Sequence, residues 1–153
     1  MMSGDSASPI VLFLCTGNYY RSRYAELLFN AWAPAQGLAW RADSQALALE
    51  SGADNVGPIS AAVIQACGSR GIALPQSLRY PLAVCEADLR AARRVIALKE
   101  AEHRPLLAQR FSGWQDRVEY WHVHDLDCGT VADALRDIEG GVVALLRSLA
   151  MQS

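Results

Sequence analysis

The stretch Ile10-Val11-Leu12-Phe13-Leu14-Cys15-Thr16-Gly17-Asn18-Tyr19-Tyr20-Arg21-Ser22 decides how the chain is read. Its first five residues are apolar with no polar alternation, the pattern of a strand buried on both faces of a parallel sheet. The run stops at Cys15. A short loop holding Gly17 and Asn18 follows, and from Ser22 the apolar period changes, so that Ala25, Leu28, Phe29 and Trp32 fall on one helical face. Cys15 therefore stands where a buried strand ends and a helix begins.

That junction has a chemistry. The unpaired N–H groups of a first helical turn and the aligned peptide dipoles attract anions, phosphate above all. The loop from Cys15 through Thr16, Gly17, Asn18, Tyr19 and Tyr20 to Arg21 is long enough to curl its N–H groups round one tetrahedral oxyanion. Gly17 and Asn18 tolerate the positive φ that such a curl demands, and Arg21 can grip two oxygens at once. The same positive potential favours thiolate over thiol at Cys15 and makes it a nucleophile at neutral pH.

Composition narrows the setting. With 153 residues, 52% of them hydrophobic, the chain has room for one sizeable core and none for a second domain. It divides into a polar tail, 1–8, and a single domain, 9–153. A net charge of -2 carries no nucleic-acid footprint. No apolar run approaches the roughly 20 residues that span a bilayer, and the polar tail lacks the apolar centre of a signal peptide, so no membrane partner is expected and the location is read as cytoplasmic. The cysteines at 15, 67, 85 and 128 show no metal-ligand pairing, and a chain of this size does not need disulfides to fold. Cys67, on the apolar face of a helix, reads as core.

Further along, Leu38 to Gln45 reads as a second strand and Ala46 to Pro58 as a loop. Helical spacing runs from Ile59 to Cys67, and Glu86 to Ala92 makes a short helix. Val95 to Leu98 is a third buried strand. Lys99 to Phe111 is a helix with Pro105 in its first turns or at a kink, and Val118 to His122 is the fourth strand. Thr130 and Asp133 make a capping box ahead of a long closing helix that the glycine pair at 140 and 141 weakens. Strands alternating with helices imply an α/β fold, an open, doubly wound parallel sheet of about four strands with helices on both faces and ligands beyond the carboxyl ends of the strands.

Cys-x5-Arg-Ser near the N-terminus, with Gly17-Asn18 inside the loop and Ala25-Glu26 in the next helix, resembles the low-molecular-weight protein tyrosine phosphatases. The resemblance extends over nearly the whole chain, through Asp43-Ser44, the segment from Gly71-Ile72 to Arg79, and Ala97-Leu98. It implies that Cys15 is the nucleophile, that Arg21 clamps the phosphate, and that loop residues 16–20 with Ser22 complete the cradle. Ser44 and Gln76 would support the loop, the latter in place of the family's histidine and with an amide able to hydrogen-bond Asn18 or Ser44. The general acid implied is the aspartate of an Asp-Pro pair, and Asp125 matches it in register. Leu126 stands where the proline would be, which keeps Asp127 as a second candidate. His122-x-His124 with Asp127 and Cys128 has no second ligand cluster and reads as a solvated strand exit; neither metal nor cofactor is expected.

The chain departs from the family in instructive places. Tyr20 occupies the position of a second loop cysteine, so no disulfide between loop neighbours can form. Residues 46–57 hold no aromatic side chain, and none follows Leu126 at Asp127-Cys128, so either Tyr19 and Tyr20 wall the pocket or the pocket is not built for a phenyl ring. The implied function is hydrolysis of phosphotyrosine or a related phosphorylated group, on a protein or a small aryl phosphate, through a phosphocysteine intermediate. Inorganic phosphate and other oxyanions would be loop ligands. Two alternatives stand beside it: an arsenate reductase of the same fold, although Cys67 and Cys85 are not spaced as its redox pair, and a phosphate-binding pseudo-phosphatase with its loop occluded by Tyr19 and Tyr20.

Overall fold

The computed structural model describes residues 8–123 and 130–152. Strand β1 (Ile10–Cys15) is central in a four-stranded parallel sheet with β2 (Arg41–Ala46) on one side and β3 (Arg94–Ala97) and β4 (Glu119–Tyr120) on the other, in the order β2-β1-β3-β4. Helices α1 (Arg21–Trp32), α2 (Ala61–Ser69), α3 (Glu86–Ala91), α4 (Glu100–Arg110) and α5 (Val131–Gln152) fill the connections. Alternate residues of β1 serve opposite faces, as the pleat requires. Val11 and Phe13 pack with Leu28 and Phe29 of α1 and Ile138, Val142 and Leu146 of α5. Leu12 and Leu14 pack with Leu89 of α3, Leu107 of α4 and Trp114. Both faces of β1 are thereby buried, which is why its sequence shows no polar alternation.

The strand bounds shift for a physical reason. β2 begins at Arg41 rather than Leu38, because its partner begins at Ile10 and the register opposes these two residues. Leu38 is still held by the preceding turn, its N–H bonded to the Ala33 carbonyl. β4 is reduced to two residues opposite Ile96 and Ala97, since β3 ends at Ala97. Pro105 sits inside α4 without ending it.

The closing helix is capped as expected: Thr130 and Asp133 exchange hydrogen bonds, both 3.1 Å, between each side chain and the other's N–H. It runs unbroken through Gly140 and Gly141. The missing side chain at 141 has a use. A Cβ built there would lie 2.6 Å from the ring of Trp121, which itself packs 5.5 Å from the Phe13 ring.

Leaving β1 the chain crosses to β2 on one side; the later crossover lands β3 on the other. The crevice between the carboxyl ends of β1 and β3 is the topological switch point, where doubly wound sheets hold ligands. The segments that emerge there are Cys15 to Arg21 and the first turn of α4.

Candidate functional site

Four carbonyls of the loop after β1 turn outward. Those of Cys15 and Thr16 accept from the N–H groups of Leu47 and Ala48, that of Tyr19 from Ser60, and that of Tyr20 from Tyr24. A trans peptide points its N–H opposite to its carbonyl, so the N–H groups of Thr16, Gly17, Tyr20 and Arg21 face away from those partners. On that side lies a cavity of about 370 Å³, lined by Cys15, Thr16, Gly17, Tyr19, Tyr20 and Arg21 from the loop. Ser51, Gly52, Asn55 and Val131 also line it. Helix α1 starts at Arg21 with no side-chain cap on Tyr20 and no acid in its first turn. Its N-terminal donors and dipole are thus directed at the loop.

The loop's shape is held from the side of Asn18. This residue is fully buried and takes φ 52°, the left-handed conformation that asparagine tolerates best among residues with a side chain. Its amide is satisfied on every side: Nδ2 donates to Ser22 Oγ at 2.8 Å and to Ser44 Oγ at 2.9 Å, while Oδ1 accepts from Arg79 Nη1 at 3.0 Å and from the Leu82 N–H at 3.2 Å. Ser44 in turn donates to Glu26 Oε1 at 2.5 Å. Burial pushes the Glu26 carboxyl above its ordinary pKa. Because Ser22 Oγ accepts from Asn18, its own proton is available to Cys15 Sγ, 3.0 Å away.

Of the residues singled out from sequence, Cys15, Thr16, Gly17, Tyr19, Tyr20 and Arg21 meet at the cavity, and Asn18, Ser22 and Ser44 meet beneath it. Gln76 does not join them. It is exposed, and where Gln76 was expected to bond Asn18 or Ser44, Arg79 bonds both and the Leu82 N–H bonds Asn18. Asp125 and Asp127 lie outside the described residues, as do His124 and Cys128. The hydroxyl of Tyr19 donates to the Val56 carbonyl at 2.6 Å and that of Tyr20 to the Val131 carbonyl at 3.4 Å. Both hydroxyls are thereby tied to segments that contribute to the cavity lining, at Asn55-Val56 and at Val131. Cys67 is buried in the core, Cys85 is exposed at the start of α3, and neither lines the cavity.

Sequence reasoning missed Glu102 and His103. Both oxygens of Glu102 face Arg21, at 3.1 Å from Nη1 and 2.8 Å from Nη2, and Oε2 also accepts from the Thr16 hydroxyl. His103 is fully buried, with Nδ1 accepting from the Lys99 N–H at 3.0 Å and Nε2 lying 3.3 Å from Glu102 Oε2 and 3.2 Å from Thr16 Oγ1. Nδ1 is an acceptor, so Nε2 carries the proton. The hydrogen bond from His103, followed by those from Arg21 and Thr16, holds the Glu102 carboxyl well below the usual carboxylate range. Burial, together with the Arg21 charge, lowers the His103 pKa. One signal was available: this pair lies at the start of α4, the helix that follows β3, and a doubly wound sheet places its site beyond the carboxyl ends of its strands.

Over residues 10–149 the chain matches the family described as low molecular weight phosphotyrosine protein phosphatase. Among solved structures, YfkJ from Bacillus subtilis is 25% identical and superposes with a TM-score of 0.78 over 98% of this chain and 99% of that one. Wzb of Vibrio vulnificus, solved in complex with benzylphosphonate, is 15% identical with a TM-score of 0.75, over 93% and 99% of the two chains. A thioredoxin-dependent arsenate reductase of Corynebacterium glutamicum is 20% identical with a TM-score of 0.69, over 97% of this chain and 65% of that one. The last two are likenesses of fold alone. No curated protein sequence matches the chain. The match across nearly the whole chain, on a fold whose central strand ends in this loop, makes the protein a member of the low molecular weight phosphotyrosine protein phosphatase family, cysteine-based hydrolases that act on phosphorylated substrates.

Proposed function

We propose that the chain hydrolyses phosphate monoesters, phosphotyrosine or a related phosphorylated group, through a phosphocysteine intermediate. One observation carries the reading: Cys15, with the Ser22 hydroxyl on its sulfur, shares a cavity with Arg21 at the uncapped start of α1. The loop N–H groups and Arg21 hold the phosphoryl oxygens. Cys15 Sγ attacks phosphorus, the S–P bond forms and the ester P–O bond breaks. The leaving oxygen takes a proton from an acid, and water then cleaves the phosphocysteine with the same group acting as base.

Asp125 is our choice for that group. It follows buried Val123 by two residues and precedes cavity-lining Val131 by six. Polar groups of Ser51 and Asn55 and the rings of Tyr19 and Tyr20 line the cavity, which suits a phosphorylated ring or side chain. The tyrosines line the cavity without filling it, and this favours turnover over a pseudo-phosphatase. The fold likeness to an arsenate reductase supports oxyanion binding, but neither Cys67 nor Cys85 lines the cavity to resolve a Cys15 adduct.

The test is hydrolysis of nitrophenyl phosphate beside a thiol-dependent arsenate assay. Cys15→Ser should lower hydrolysis at least about 10³-fold while still binding phosphate; comparable activity in that variant removes Cys15 from the mechanism. Asp125→Asn should slow phenyl phosphate far more than the activated nitrophenyl ester, by about 10² or more. If Asp127→Asn shows that pattern instead, the acid is Asp127.

A further inference from the structure

Arg21 is gripped by a carboxylate that the mechanism above does not use. A guanidinium presents two forks of donors, an end-on pair from Nη1 and Nη2 and a side-on pair from Nε and Nη2. Glu102 takes the end-on pair with both of its oxygens, and the guanidinium so held belongs to a residue that lines the cavity with Cys15. Glu102 is itself fixed from two elements. Thr16 in the phosphate loop donates to its Oε2, and the protonated Nε2 of buried His103 lies 3.3 Å from the same oxygen. The His103 ring is set by the Lys99 N–H on its other nitrogen.

We infer that Glu102 is a positioning residue for Arg21, fixing the orientation in which the guanidinium meets the phosphoryl oxygens as the phosphorus becomes trigonal. This deepens the phosphatase reading and rests on it. The arrangement has a chemical logic. A permanent negative charge beside an anion site opposes ground-state binding of phosphate, so Glu102 is not there for affinity. A clamp already aligned before the substrate arrives favours the transition state, where misplacement of a donor is most damaging. The resulting signature is a fall in kcat without a matching rise in KM.

The experiment uses Glu102→Gln, which keeps the size and one acceptor but removes the charge and the two-oxygen grip. With nitrophenyl phosphate, kcat should fall about 10-fold while KM stays within about threefold. Inhibition by vanadate, which adopts the five-coordinate geometry, should weaken about 10-fold while inhibition by inorganic phosphate changes less than about threefold. A kcat within about twofold of wild type, a faster enzyme, or parallel weakening of KM, phosphate and vanadate overturns the proposal. Should the wild type not hydrolyse the ester, the phosphatase reading fails by itself, and the vanadate-to-phosphate ratio measured by direct binding still decides the role of Glu102. If Glu102→Gln does not fold, Thr16→Val removes one of the hydrogen bonds that fix Glu102. It should shift the same ratio about threefold, and no shift overturns the proposal.

Discussion

Helices α1 and α4 both begin at the crevice between β1 and β3, yet they treat their first turns in opposite ways. α1 opens without a side-chain cap and without an acid, with Arg21 as its first residue. α4 opens with Glu100 and Glu102, and one of those acids turns onto Arg21. An acid in a first turn ordinarily complements its own helix dipole. Here one helix end is left positive for an outside anion, and the other supplies the charge that fixes the cation of the first. The difference separates two tasks at one phosphate loop. A network centred on the Asn18 amide, with Ser22, Ser44 and Arg79, sets its backbone shape, and another of Thr16, Glu102 and His103 sets its guanidinium.

Removing the fork itself breaks the comparison most severely. Arg21→Lys keeps the positive charge but can offer neither fork, so kcat/KM for nitrophenyl phosphate should fall by at least about 10². A lysine variant within tenfold of wild type would mean that charge alone serves the site. Next comes the network around Asn18. Asn18→Ala leaves the hydroxyls of Ser22 and Ser44 and the Arg79 guanidinium short of a buried partner and places alanine at positive φ. It should lower stability by about 3 kcal/mol and activity about 10-fold or more, whereas Ser44→Ala should lower stability by about 1 kcal/mol. Urea unfolding beside kcat separates the two; equal losses would deny Asn18 its central place.

The smallest effect concerns pH. His103 has its pKa lowered from 6.5 chiefly by burial, so the unfolded chain accepts a proton that the folded chain resists. Its contribution to stability is full above about pH 6.5 and is lost as pH falls below that value. His103→Asn retains an acceptor for the Lys99 N–H without a group that titrates. The difference in Tm between wild type and this variant should therefore shrink by about 2 to 4 °C between pH 7.5 and 5.5. A difference that stays constant with pH would show that the imidazole takes up its proton equally well in the folded and the unfolded chain.

What was legible in the sequence follows from the range of the interactions. β1, its loop and α1 were readable because burial on both faces writes a continuous apolar run and the switch to helical period comes within a few residues. Cys15, Ser22 and Arg21 lie inside that window. The doubly wound sheet was readable from the alternation of elements, though strand ends were not, since the length of β2 and β4 is set by partners elsewhere in the chain. Glu102 and His103 escaped notice because they meet Thr16 and Arg21 across 81 to 87 residues, and their surroundings read as an ordinary helix start. Gln76 was expected at the loop by resemblance alone. Arg79, three residues on, reaches Asn18 and Ser44 with a longer side chain and more donors.

The close approach of Gly141 to Trp121 ties together two positions twenty residues apart. Alanine at 141 meets the indole face unless residue 121 has first become smaller, and a smaller residue 121 leaves a void beside Phe13 that a side chain at 141 would refill. Each single change is unfavourable while the pair together can be tolerated, so the two positions should show strong coupling in a double-mutant cycle. The order in which this helix and the exit of β4 can diverge is thereby constrained: tryptophan must yield before glycine does.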